Sequence, residues 1–186
     1  MRSGPLFSDL LALLDTPEPA GLGPERRPDA LSIQSLDEKL RAPFQDQRLT
    51  PATKNLLRAT IYLWHDHLDP AHEIAQAIEN QDGSLVHAIM HRREPDYGNA
   101  KYWFRRVGTH PSFLGLALKA GEYLAKNEQG GLLSRLLPNK TWDPFAFVDA
   151  VEDTAEGQFI ATIPILRQVQ KLEFESLVEN LVNRIS

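Results

Sequence analysis

Apolar residues in the second half of the chain recur at steps of three to five, the interval that gathers side chains on one face of an α-helix. The last stretch shows this most plainly. Leu166, Val169, Leu172, Leu177, Leu181 and Ile185 are separated by charged and polar residues, which predicts an amphipathic helix over 164–184 that packs down and closes the domain. Strict alternation, the mark of a half-buried strand, is nearly missing. Helix starts are marked by Thr50-Pro51, Asp69-Pro70 and Asp143-Pro144. In each pair a side-chain oxygen can accept an orphan N–H, and proline stands where no N–H is needed. Further starts are expected after Ser84 and Asp96, and stops at Gly83, Gly108 and Gly157. The pattern predicts helices near 51–66, 70–79, 85–94, 96–107, 112–127, 144–156 and 164–184, an all-α fold in which short connections set sequential helices side by side.

The first 48 residues read differently. Leu6 to Leu14 suits a short amphipathic helix and Leu36 to Ala42 a second. Between them Pro17, Pro19, Gly21, Gly23, Pro24 and Pro28 leave no hydrophobic period. Such a composition marks a linker or an arm laid over the body, dispensable for the fold of residues 49–186.

Within 51–111 the helices form a repeat. Leu85 to Pro111 carries a small residue at Ala88, then Tyr97, Ala100, Phe104 and a closing proline. Ala59, Tyr62, Ala71 and Ala75 suit an earlier unit. Alanines let two helices approach closely, and aromatic residues fill the wedge beside them. The arrangement resembles a tetratricopeptide (TPR) hairpin. The period from Ala71 to Ala100 is 29 residues, against about 34 in that family, and the family's early tryptophan and glycine are missing. The resemblance implies antiparallel hairpins over 51–79 and 85–107 joined near Gly83. The words Trp64-His65-Asp66-His67, His72-Glu73, His91-Arg92-Arg93-Glu94, Asp96-Tyr97 and Asn99-Ala100-Lys101-Tyr102-Trp103-Phe104 also resemble a family of uncharacterised bacterial and fungal proteins. That resemblance implies a shared fold and no particular activity.

Candidate chemistry concentrates in the same region. All six histidines, His65, His67, His72, His87, His91 and His110, fall within 46 residues. His87 and His91 are four apart, so one helix face presents both rings, the spacing by which a helix offers two nitrogens to one ion. His65 and His67 end one helix, His72 begins the next, and Glu94 stands one turn beyond His91. If His65, His67, His72, His87 and His91 converge, a divalent metal such as zinc suits their nitrogens. The alternative is a set of buried imidazoles bonded to backbone carbonyls or to Asp66 and Asp69. No His-Glu-x-x-His, phosphate-binding glycine loop or Gly-x-Ser-x-Gly elbow is present. The His65-Asp66 pair lacks the upstream histidine that HD phosphohydrolases require.

A second candidate is the basic, aromatic stretch from His91 to Arg106. Arg92, Arg93, Lys101, Arg105 and Arg106 stand against Glu94 and Asp96, interleaved with Tyr97, Tyr102 and Trp103. Arginines near helix C-termini complement the dipole. In a TPR-like groove, however, Arg92, Arg93, Tyr97 and Trp103 would instead meet a ligand's carboxylate or phosphate. Stacking of single-stranded RNA on Tyr102 or Trp103 is a third option.

Composition narrows these readings. The net charge of −5 works against a nucleic-acid partner, since phosphate binding rests on a basic footprint. No apolar run approaches the ~18 residues of a membrane span, so neither a leader nor an anchor is expected. With no cysteine, disulfides and thiolate chemistry are excluded, which suits a reducing cytoplasm. The balance of 42% hydrophobic and 24% charged residues over 186 is that of a globular domain. The expected function is a helical binding or scaffold module with a polar His/Arg/Asp site at the hairpin junction, its partner a protein or an anionic small molecule. The alternative is a metal-dependent hydrolase using the histidines, with Glu73 or Glu94 as base.

Overall fold

The computed structural model describes residues 5–184, and Ile185 of the C-terminal apolar stripe lies outside them. Among the described residues there are ten α-helices and no strand. Helices α1 (Pro5–Ala12) and α2 (Ile33–Leu40) belong to the N-terminal segment. The body follows with α3 (Pro51–Trp64), α4 (Leu68–Gln76), α5 (Gln81–Arg93), α6 (Tyr97–Val107), α7 (Ser112–Lys126), α8 (Gly130–Leu136), α9 (Pro144–Ala155) and α10 (Ile163–Asn183).

Most caps work as their chemistry requires. Thr50 accepts from the Thr53 N–H, Asp96 from Asn99, and Asp143 from Phe145 and Ala146. Gly108 and Gly157 end α6 and α9 with positive φ. Two signals mean something else. Asp69 does not cap α4, which begins earlier, at Leu68. Gly83 is no stop and Ser84 no start, because Asn80 caps α5 by accepting from the Gly83 N–H. Glycine is required at 83 for room, since a Cβ there would stand 2.0 Å from the Ile78 carbonyl oxygen. The short helix α8, with glycines at its first two positions, lay below the sequence signal.

Helix α5 is the axis of the molecule. From Asp82 to Arg93 every residue is buried, enclosed by α3, α4 and α6, with α10 reaching it through the Arg92–Glu173 pair. Ala71 and Ala75 of α4, Ala88 of α5 and Ala100 of α6 have no exposed surface, so small side chains sit where these helices approach. The α5–α6 pair runs antiparallel: His87 faces Trp103 while His91 faces Asn99. Helix α10 carries Leu166, Val169, Phe174, Leu177 and Leu181 into the core along its 21 residues, as its period requires.

The N-terminal segment departs from expectation. Leu10, Leu14, Ala20, Leu36 and Leu40 are wholly buried in the same core as the body. The Pro/Gly stretch has little backbone pairing of its own, so its carbonyls need partners. The body supplies them: Arg167 donates to Pro19, Gln170 to Ala20 and Gly21, and Arg93 to Gly23. The segment is therefore integral to the fold rather than a loose arm, because irregular backbone can be buried once side chains from elsewhere satisfy it.

Deletion of residues 1–28 is expected to abolish the cooperative thermal transition. Leu10→Ala and Leu14→Ala should each cost about 2–4 kcal/mol by denaturant unfolding, whereas Leu114→Ala, at a residue 75% exposed, should stay within about 0.5 kcal/mol. A truncated chain that unfolds at the full-length temperature would contradict this account.

Candidate metal centre

The five candidate histidines divide into two groups. His65 ends α3 at its C-cap, and both its ring nitrogens are engaged. Nε2 lies 2.9 Å from the Leu13 carbonyl, to which it donates, and Nδ1 accepts from the Leu31 N–H at 3.2 Å. His67 donates through Nε2 to the Leu31 carbonyl at 2.8 Å. These two rings hold the N-terminal segment, and they stand outside the group able to share an ion.

His72, His87 and His91 do come together. Their ligating nitrogens lie within 4.8 Å of one another. His87 and His91 present parallel rings 5.5 Å apart on α5, and His72, on the first turns of α4, meets both edge-on at 4.7 and 5.4 Å. Trp103 stacks on His87 at 4.1 Å, and Arg106 lies over Trp103 at 5.2 Å. Glu94 Oε2 is 3.2 Å from His91 Nδ1. The Asn99 amide nitrogen lies 3.2 and 3.4 Å from the two nitrogens of His91.

Unlike His65 and His67, His72 and His87 make no hydrogen bond through either nitrogen among the described residues. Burial, reinforced by the neighbouring imidazoles, pulls the His87 pKa down to about 4. Burial also lowers that of His91, against the pull of Glu94. Both rings are therefore neutral near pH 7, the form that ligates a metal.

Of Arg92, Arg93, Tyr97 and Trp103, the four residues expected to meet a ligand, only Trp103 joins this site. Arg92 and Arg93 have no exposed side-chain surface and do not face a groove. Arg92 donates to Glu173 Oε1 at 3.0 Å and to Gln170 at 3.2 Å, both on α10, and lies over Phe147 at 4.3 Å. Arg93 donates to Asp66 at 2.7 Å and to the Leu63 carbonyl. Asp66 also receives the Arg27 backbone N–H and Nε, each at 2.9 Å. Those bonds, with the charge of Arg93, hold its carboxyl below the usual range against burial. Tyr97 packs half-buried against the core, and Lys101 is paired with Asp149 and Glu152 of α9. The sixth histidine, His110, is buried between Asp82, 2.8 Å from Nε2, and Ser112, 2.7 Å from Nδ1. Because Nδ1 also accepts the Ser112 N–H, His110 ties the first residue of α7 to Asp82 of α5.

Asn99 was not singled out by sequence reasoning. The signal was its four-residue spacing from Trp103, which places both on the face of α6 that meets His87 and His91. No protein-family model, curated protein or solved structure matches this chain.

Burial lowers the pKa of His65 from its ordinary value of 6.5. Its contribution to stability is therefore complete above about pH 6.5 and is lost as the pH falls toward the folded-state value. Protonation would put a second donor against the Leu31 N–H. Unfolding free energies measured from pH 7 to pH 5 are expected to fall for the native chain. They should fall less for His65→Gln, which starts lower but has no ring to protonate; parallel curves would refute the assignment.

Proposed function

We propose that the protein is a TPR-like helical binding module whose working site holds a borderline divalent ion, zinc being the best matched, on His72, His87 and His91. The observation that carries this reading is three imidazoles within 4.8 Å, two of them without a hydrogen bond among the described residues, in a fold that gives its other histidines partners. Bonds of about 2.0–2.1 Å would draw tetrahedral donors to roughly 3.4 Å apart, a closure within reach of side-chain rotation at the half-buried His72. Glu94 fits the role of a carboxylate that orients a ligating imidazole: a donor at His91 Nδ1 leaves Nε2 for the ion. Trp103 walls one side and fixes the His87 plane. Three nitrogen ligands leave a fourth position for water or for a ligand atom, the pattern of catalytic rather than structural zinc. That open position supports the second reading, metal-assisted hydrolysis with Glu94 close enough to the centre to move a proton.

Untagged protein is expected to carry close to one equivalent of zinc by elemental analysis, or to take up one equivalent of cobalt(II) with the intense visible bands of a four-coordinate site. His87→Ala and His91→Ala should each weaken binding by at least about 100-fold, and Glu94→Gln by roughly 10-fold, as loss of an orienting carboxylate does. His65→Gln should leave metal affinity unchanged. Native protein that neither retains nor binds zinc, cobalt, nickel or copper would refute the reading.

A further inference from the structure

One open cleft shares no residue with the histidine site. About 750 Å³ in volume, it runs between the end of α6, the start of α7 and the segment leading into α9, with Phe104, Phe113, Leu114, Trp142 and Phe145 among its walls. A second cleft of about 580 Å³ continues it along α7 toward α8, and the two share Ala117 and Lys140. Leu114 and Leu118, one helical turn apart on α7, are 75% and 69% exposed. Two large apolar side chains left in water beside an aromatic-walled cleft are not explained by packing.

The charge on the cleft is as uneven as its polarity. Arg105 and Lys140 stand in its lining, and no carboxylate does, although acids outnumber bases in the chain. Neither cation has an ion-pair or hydrogen-bond partner among the described residues, whereas Lys101, Lys119, Arg135 and Arg184 all do. Lys140 is set at the junction of the two clefts by a turn in which both Asn139 and Lys140 adopt positive φ, 52° and 61°. For an ordinary side chain that conformation is unfavourable, and it persists only where surroundings hold it. Two unpaired cations would also repel their counterparts if a second copy of the chain covered this face.

We infer that the cleft binds an amphiphilic anion, a ligand with an extended apolar body and a carboxylate head, the body lying on Phe104, Phe113 and Trp142 and the head between Arg105 and Lys140. The volume falls within the ~300–1,000 Å³ of small-molecule sites, and the composition, apolar walls with a few placed polar groups, is theirs as well. The aromatic walls contribute most of the affinity and the two cations select the head group.

Sodium decanoate, decan-1-ol and decylammonium chloride, each kept below the concentration at which it aggregates, would be titrated into ¹⁵N-labelled protein while the indole resonances are followed. Decanoate is expected to shift the Trp142 indole to saturation at one site and leave Trp64 unmoved. It should bind about tenfold more tightly than decylammonium, as two exposed charge contacts allow. The double variant R105Q/K140Q, altered only at exposed positions, should remove that preference, and Leu114→Asp should weaken all three. Equal affinity for the three head groups would overturn the inference, as would absence of any Trp142 shift. So would a concentration-dependent dimer that Leu114→Asp dissolves, since a second copy would then be the occupant. Because His87→Ala should leave decanoate binding intact, this result is read separately from that of the metal site.

Discussion

Helix α5 is buried from Asp82 to Arg93, and the polar groups it brings inside must find partners there. An unpaired charge in a protein interior costs several kcal/mol, so burial of Asp82, Arg92 and Arg93 dictates what surrounds them. Arg92 requires the acid at Glu173 and the amide at Gln170, which fixes the height at which α10 crosses. Arg93 requires Asp66 at the corner between α3 and α4, and Asp66 in turn holds Arg27. Asp82, at the other end, takes His110 ahead of α7 and Arg184 at the end of α10. Three ionic anchors along one helix thus locate the N-terminal segment, the α3–α4 corner, α7 and α10.

Such anchors specify arrangement more than they add stability. Apolar residues of equal volume at Arg92 and Glu173 would cost no desolvation, and replacement of buried ion pairs is often neutral or better. What the pairs provide is penalty for error: an α10 shifted by one turn would leave two buried charges unmet. The N-terminal segment follows the same logic. Its prolines and glycines deny it regular structure, and its carbonyls are acceptable inside because Arg27, Arg93, Arg167, Gln170, His65 and His67 donate to them.

This explains which parts could be read from the chain. The all-helical architecture, the capped starts at Thr50, Asp96 and Asp143 and the apolar stripe of α10 depend on residues close in sequence, and local physics exposes them. The place of residues 13–31 depends on donors as far as 150 positions away, and no local period reports that. Arg92 and Arg93 mislead for the same reason. Two adjacent arginines near a helix end resemble a solvated or ligand-facing pair, and only the tertiary arrangement supplies Glu173 and Asp66. The convergence of His87 and His91 was legible as a four-residue step. That His72 joins them while His65 and His67 turn toward the N-terminal segment was not, because a change of one or two positions around the α3–α4 corner reverses the direction of a ring.

The histidines of α5 also show where the organising rule is broken. Every charged group on that helix from Asp82 to Arg93 meets a partner, as do the nitrogens of His65 and His110. Among the described residues His87, only 3% exposed, has no hydrogen-bond partner, and His72, its neighbour across the α4–α5 contact, has none either. A buried imidazole could be replaced at that place by an apolar ring of similar size stacked equally well on Trp103, so packing alone gives no reason for nitrogen there. Polar groups that a fold leaves unmet call for an explanation, and a functional site is one such explanation. Gathered here, at the edge of the buried helix, are three imidazoles whose ligating nitrogens lie within 4.8 Å of one another, two of them without a hydrogen bond among the described residues. Rigid supports of that kind would hold ligands in position for an ion, and the stringency that places Arg92 and Arg93 also fixes the backbone that carries His87 and His91.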